Sequence, residues 1–328
     1  MENNFFNLIR IEGYNKQITI DLNRQNFQTY YDFSKIYKPE DCYLNDRNFE
    51  YPSIISDAYI IIAKTNNLSE EENFIKIIKL LEFLQCKFIV LSFELKIELS
   101  TLKKMLDIAV NHNIHEIHLL FSFSPQLHSD EFGEIIFNSK RIKRINIYNS
   151  PFNKNYNDLI FYLKTSKRIG FKKFKDGFNI NHLLYSESLS AHTYFNRKLY
   201  IGNQGEVKNA KECNEIYGNI NNSFDLKNSV LSPEFQKYWF VKKEETDVCK
   251  DCEFRHMCVD NRLPYERNQN EWYHKIECNY NPYIAKWEDE EGYRILVECG
   301  VISNENGFSI DHEKIAEINK ELWEEVTD

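Results

Sequence analysis

Glycine is scarce in this chain, with ten in 328 residues. None lies in a Gly-x4-Gly-Lys-Ser/Thr loop or a Gly-x-Gly-x2-Gly turn, the arrangements that let a backbone close around phosphate. A nucleotide site of either kind is therefore excluded. A Gly-x-Ser-x-Gly elbow is missing too, so nothing supports a serine nucleophile on such a turn. Basic residues are in deficit: 41 Lys and Arg against 50 Asp and Glu leave a net charge of −9. Without a positive field to hold a phosphate backbone, nucleic acid is not an expected partner. No apolar run approaches the roughly 20 residues that span a bilayer, so a membrane is not an expected partner either. The opening Met1-Glu-Asn-Asn-Phe-Phe lacks a basic stretch followed by an apolar one, which makes the cytoplasm the expected location.

What is present is enough to fold. Apolar residues make up 42% of the chain and aromatics 15%, and the length suits about two domains. Residues 5–22 alternate as a β-hairpin would, and residues 1–56 read as an N-terminal β-containing segment. From residue 58 a repeat sets in. Apolar runs begin near Ala58, Lys87, Glu116, Lys143 and Ile169, spaced 29, 29, 27 and 26 residues apart. Helical patterns lie between them. Phe74, Ile77, Ile78, Leu81 and Leu84 form one stripe, with Ser69 and Glu72 as a capping box, and Leu102, Met105, Leu106, Ala109 and Val110 form the next. Repeats of this length predict an α/β fold with a parallel sheet: an open (β/α) half-barrel of about five strand–helix units over residues 57–185. Beyond it, a hairpin turning on Gly202-Asn-Gln-Gly205, a helix at Pro233–Trp239, a strand at Gly307–Ile310 and a helix over 311–326 are expected. Residues 186–283 then form a cysteine-rich module and residues 284–328 an extension. His112, His115 and His118 share no clean strand face, and a polar loop entering a strand accounts for them.

The densest chemistry lies at Cys249-Lys-Asp-Cys252-Glu-Phe-Arg-His-Met-Cys258, followed after nineteen intervening residues by Cys278. A Cys-x-x-Cys knuckle brings two sulfurs to one ion from a tight turn, and two further cysteines complete a tetrahedron. Disulfides are disfavoured in a reducing compartment. Zn²⁺ and an iron–sulfur cluster both suit four thiolates. Arg255 and His256, inside the cysteine loop, are candidates to donate to sulfur, and Asp251 and Asp260 are placed to cap turns. Phe254, Trp272, Tyr273, Tyr280 and Tyr283 either contact a peptide or pack around the metal. Cys42, Cys86 and Cys299 are scattered and read as ordinary small residues.

From residue 190 onward the pattern resembles a SPASM domain, the iron–sulfur module of radical S-adenosylmethionine peptide maturases. Cys249, Cys252, Cys258 and Cys278 match the family's ligands for its outer auxiliary [4Fe–4S] cluster. Where the inner cluster's cysteines belong stand His192, Ala210 and Arg262, with Cys213 out of register, which implies that this cluster is lost. The Cys-x3-Cys-x2-Cys that chelates S-adenosylmethionine is absent, since only Cys42 and Cys86 precede Cys213. The resemblance therefore implies a degenerate barrel that uses no S-adenosylmethionine and performs no radical catalysis. More narrowly, several segments resemble the SPASM-domain protein of grasp-with-spasm systems. They are Phe195-Asn-Arg-Lys-Leu-Tyr-Ile, Gly218-Asn-Ile, Cys258-Val-Asp, Cys278-Asn-Tyr-Asn-Pro-Tyr and Ile310-Asp-x2-Lys-Ile. That implies an accessory role in graspetide-like peptide maturation, with a precursor peptide and an ATP-grasp ligase as partners. Two other readings stay open: a redox enzyme using the single remaining cluster on a peptide, and a metal-stabilised protein-interaction module.

The four-cysteine assignment predicts that Cys258→Ser lowers metal content and destabilises the C-terminal half, because a closed metal site contributes folding free energy. Elemental analysis of the two proteins checks this, and equal metal content defeats the assignment.

Overall fold

The alternation of apolar runs with helical stripes folds as a mixed α/β structure around one mostly parallel eight-stranded sheet. The computed structural model describes residues 54–112, 114–166, 182–222, 226–268, 271–305 and 307–323, all within one unit, Glu50–Asp328. The hairpin expected at 5–22 and the run expected near Ile169 lie outside the described residues. Strands β1 (Asp57–Ile62), β2 (Phe88–Phe93), β3 (Glu116–Ser122) and β4 (Ile142–Tyr148) lie where the repeat places them and pair in parallel. Helices α1 (Glu71–Phe83), α2 (Leu99–Asn111) and α3 (Asp130–Phe137) fill the crossovers.

Two-residue periodicity decides what faces what. Ala58, Ile60 and Ile62 on β1, Ile89 and Leu91 on β2, and Ile117 and Leu119 on β3 join the main core with Phe74, Ile78 and Leu81 of α1 and Leu102 and Met105 of α2. Their neighbours Tyr59, Val90, His118 and Arg144 lie in register across the four strands on the opposite face. The helices therefore cover one side of the sheet.

Several local expectations are corrected. The helix after β1 starts at Glu71 with Glu70 as N-cap, and no side chain caps it, so Ser69 and Glu72 form no box. Side-chain caps stand elsewhere: Ser129 Oγ accepts from Phe132 N at 3.2 Å at the start of α3, and Asp311 Oδ1 accepts from Lys314 N at 3.0 Å before the helix His312–Trp323. The sheet continues beyond β4 with a hairpin that the repeat did not announce, β5 (Lys154–Tyr156) and β6 (Ile160–Tyr162), of which β6 pairs in parallel with β4. Residues 233–239 make successive turns instead of a helix, and a short α-helix stands upstream at Leu226–Val230. There Phe235 and Trp239 join the main core while Tyr238 enters a second cluster.

The expected hairpin is present as β7 (Lys198–Ile201) and β8 (Val207–Lys208), and β7 pairs in parallel with β1 on the side away from β2. Its turn depends on Gly205 at φ +79, where a Cβ would come within 2.9 Å of Asn219 Oδ1 and Ile220 Cγ1. The cysteine-rich part adds two-stranded ladders: β9 (Pro264–Asn268) with β10 (Glu271–His274), and β11 (Tyr280–Asn281) with β12 (Lys286–Trp287). Another pairs β13 (Val301–Asn304) with β14 (Gly307–Ile310), and the last described helix, His312–Trp323, buries Ile318 with Ile284 and Cys299.

Leu81→Ala is expected to destabilise the chain by about 2–5 kcal/mol, since a fully buried side chain leaves a cavity between α1 and the sheet. Phe137→Ala, at a side chain 55% exposed, stays within about 0.5 kcal/mol. Denaturant titration of both variants checks the contrast.

Candidate functional site

The cysteine loop begins with a backbone contortion. Val248, just before Cys249, has φ 66 and ψ −46, a region that a β-branched residue avoids at a cost of about 1–3 kcal/mol. Hydrogen bonds on both sides hold it there, from Asp247 N to Trp272 O at 2.8 Å and from Lys250 N to Thr246 O at 2.9 Å. The kink feeds a single 3-10 turn, Cys249–Asp251. Cys252, Cys258 and Cys278 pack with Phe254 against Tyr280 and Trp287. Phe254, Tyr280 and their neighbour Trp287 thus wall the cysteines, and Trp272 lies in a separate buried cluster with Tyr238. Tyr283 donates to Asp251 at 2.7 Å, and Tyr273 packs at a tilt against Tyr265 and lies under Arg267.

Electrostatics separates the four thiols. Burial pushes Cys252 up to about 12, with Cys249 and Cys278 acting on it in the same direction. Burial also raises Cys258 well above its ordinary value, and it raises Cys278; each also feels the charge of Cys249. For Cys249 burial acts upward as well, but Lys243, a hydrogen bond to His274 and Arg262 outweigh it and bring the thiol down to about 6. The four groups therefore act on one another, and one of them is already a thiolate at neutral pH.

The cause of that difference is a buried ion network around Asp260, whose carboxylate is fully buried. Oδ2 accepts from Lys243 Nζ at 2.5 Å and from Arg262 Nη2 at 2.7 Å, and Oδ1 accepts from Arg262 N at 2.9 Å. Arg262 goes on to donate to the Ile276 carbonyl at 2.9 Å and to Cys249 Sγ at 3.5 Å. His274 Nδ1 sits 3.2 Å from the Leu263 carbonyl, which only accepts, so that nitrogen carries a proton, and Nε2 faces Asp260 Oδ2 at 3.2 Å. Burial would raise the Asp260 carboxyl, but Lys243 and Arg262 overcome it and hold the group well below the usual carboxylate range. Asp260 does cap a turn, as its position suggested, and it does more than that.

Ligand atoms of Cys249, Asp260 and His274 all lie within 4.8 Å of one another, which is the one metal-compatible grouping among the described residues. Lys243 and Arg262 already occupy both oxygens of Asp260, so this triad reads as a closed ion network beside a thiolate. Two cations face one carboxylate there, and the surplus positive charge falls next to Cys249. A set of four thiolates is strongly negative, and a buried Lys243 and Arg262 compensate it. Of the four cysteines only Cys249 belongs to the metal-compatible grouping; Cys252, Cys258 and Cys278 lie outside it.

The positions expected to lack ligands are filled. Ala210 and Cys213 pack into an apolar cluster with Phe195, Tyr238, Val241 and Trp272, and burial pushes Cys213 up to about 12. His192 is buried, and its Nδ1 accepts from the backbone of Tyr194 and Phe195 at 3.1 and 3.2 Å. Burial, then Lys243, lowers it well below the usual histidine value. Of the two candidate tuning residues, Arg255 donates to the Cys252 carbonyl at 3.1 Å, while His256 lies 3.0 Å from Ser188 Oγ. The side chains that reach the Cys249 sulfur are those of Arg262 and His274. The three spaced histidines are kept apart: His112 pairs with Glu82 at 2.9 Å and His118 with Glu116 at 3.0 Å. Cys86 and Cys299 are buried singly, and Cys42 lies outside the described residues.

Next to this module the sheet face opposite the described helices opens into a cleft of about 800 Å³. Its floor is Tyr59, Phe88, Val90, Leu120, Tyr148 and Tyr200; its facing wall is Val259, Asn261, Leu263, Tyr265 and Ile276. Val259 directly follows Cys258, and Ile276 stands two residues before Cys278. Lys243, His274 and the cleft floor carried no local signal beyond alternation along their strands. Comparison with protein-family models, curated proteins and solved structures returns no match.

Replacing Asp260 by Asn strands two buried cations and is expected to cost about 3–5 kcal/mol at neutral pH. Because the folded-state pKa of Asp260 is depressed, its contribution is present above the ordinary carboxyl range and fades as pH falls through and below it. Denaturant titrations at neutral and acidic pH check both points: the gap between the two proteins narrows on acidification.

Proposed function

We propose that this chain is an accessory protein of ribosomal-peptide maturation that binds a precursor peptide and its ATP-grasp ligase. In this reading the sheet is an open half-barrel left from a radical enzyme, and residues 186–283 are a SPASM-like module. The observation that carries the reading is the cleft on the sheet face opposite the described helices. An apolar, tyrosine-rich trough between a rigid parallel sheet and a wall of loops suits an extended chain, since tyrosine gives large contact area at low entropic cost. Two of the wall's apolar side chains, Val259 and Ile276, are 36% and 67% exposed at its lip.

Cys249, Cys252, Cys258 and Cys278 would hold the metal centre, as a [4Fe–4S] cluster or as Zn²⁺. Such a centre supplies a covalent brace for the turns that carry the wall, and, if iron–sulfur, one-electron chemistry. The chain's own residues bind and orient: Arg262 ties the cleft wall to Cys249, and Asp260 keeps Arg262 in place. Absence of the Cys-x3-Cys-x2-Cys motif supports a role without S-adenosylmethionine.

Fluorescence anisotropy with a labelled precursor peptide, and co-purification with the partner ligase, test this. Binding of either partner is expected, and Leu120→Arg, which places a charge on the trough floor, weakens peptide binding by about tenfold or more at unchanged metal content. A chain that binds neither partner, or a Leu120→Arg variant that binds the peptide as before, sinks the reading.

A further inference from the structure

The cleft is not chemically uniform. Its cations are already engaged. Lys198 pairs with Asp57 at 3.2 Å and lies over the Tyr194 ring at 4.8 Å. Arg262 spends its donors on Asp260, the Ile276 carbonyl and Cys249, and Lys211 has a contact of its own. The acceptors are in the opposite condition. Glu212 is steadied by Tyr194 Oη, which donates to Oε2 at 2.9 Å, and by Asn261 Nδ2, which donates to Oε1 at 3.0 Å. A carboxylate with one donor per oxygen retains lone pairs for more. Asn209 is fully buried, with its Nδ2 committed to the Phe195 and Lys198 carbonyls at 3.0 and 2.9 Å. That leaves Asn209 Oδ1 buried without a donor, and Asn261 Oδ1 is in the same position. Tyr194, Asn209, Glu212 and Asn261 all line the cleft.

An unfilled buried acceptor costs free energy; one here is on the amide that donates to Glu212, and the other lines the same cleft, so this part of the cleft lacks hydrogen-bond donors. We infer that this end of the cleft receives a basic side chain of an extended peptide, a lysine or arginine whose N–H groups meet Glu212 and the amide oxygens of Asn209 and Asn261. The apolar floor then takes the flanking residues. The overall charge of −9 favours the same partner at long range. This inference rests on the peptide-binding reading and adds the chemistry that the peptide must present.

The test uses three pools of acetylated, amidated heptapeptides with randomised flanks and a fixed central lysine, norleucine or glutamate, titrated against the full metal-loaded chain. The lysine pool is expected to bind about tenfold or more tighter than the glutamate pool, with norleucine between. Glu212→Gln keeps an acceptor oxygen for Asn261 Nδ2 and offers Tyr194 Oη an N–H to accept, while removing the negative charge, and is expected to erase the difference. Raising the ionic strength on the unmodified chain shrinks the same difference, a readout that does not depend on any variant folding. Binding of all three pools alike, or a preference that survives in a folded Glu212→Gln variant, overturns the basic-residue site and leaves peptide binding standing. No pool binding at all overturns both.

Discussion

A single buried carboxylate organises the part of this protein where chemistry is concentrated. Asp260 has no exposure, and it survives as an anion because Lys243 and Arg262 are folded against it. Removing two charges from water is expensive, and the network is stable because each oxygen finds donors at hydrogen-bond distance. The consequences spread through Arg262. One arm holds the Ile276 carbonyl on the cleft wall, another reaches the Cys249 sulfur, and the local surplus of positive charge makes that thiol acidic. Cysteine chemistry and cleft shape thus share one electrostatic anchor.

The same anchor explains what stands where the resemblance leads one to look for a second cluster. Arg262 occupies one such position and His192 another, while Ala210 and Cys213 lie in an apolar cluster. A charge network and close packing fill that part of the molecule, and both are self-sufficient: the carboxylate is satisfied and the thiol of Cys213 is neutral. The strained Val248 shows where the chain tolerates cost to present Cys249. The wall of the cleft hangs between Cys258 and Cys278, so whatever steadies those cysteines also steadies the wall.

Much of the sheet was legible in the sequence. The runs at Ala58, Lys87, Glu116 and Lys143 fall on strands β1 to β4, because a parallel strand buried against helices must carry Ile, Val or Leu at alternate positions. The β7–β8 turn was legible because Gly205 is held where a Cβ does not fit. Elements fixed by distant packing were not. Residues 233–239 have a helical composition, yet Phe235 and Tyr238 answer to different cores. Strands β5 and β6 are three residues each, too short to show a period.

The sequence by itself determined the α/β repeat, the excess of negative charge and the clustering of four cysteines within thirty residues, since each is a property of spacing or count. Only the tertiary structure decided that Lys243, Asp260, Arg262 and His274 meet, and that the sheet face opposite the described helices meets the loop after Cys258. Ion pairing and cleft lining depend on contacts between residues far apart along the chain, such as Tyr59 with Tyr200 or Tyr194 with Glu212. A side chain's type states which partner it needs. The fold alone states which one it receives.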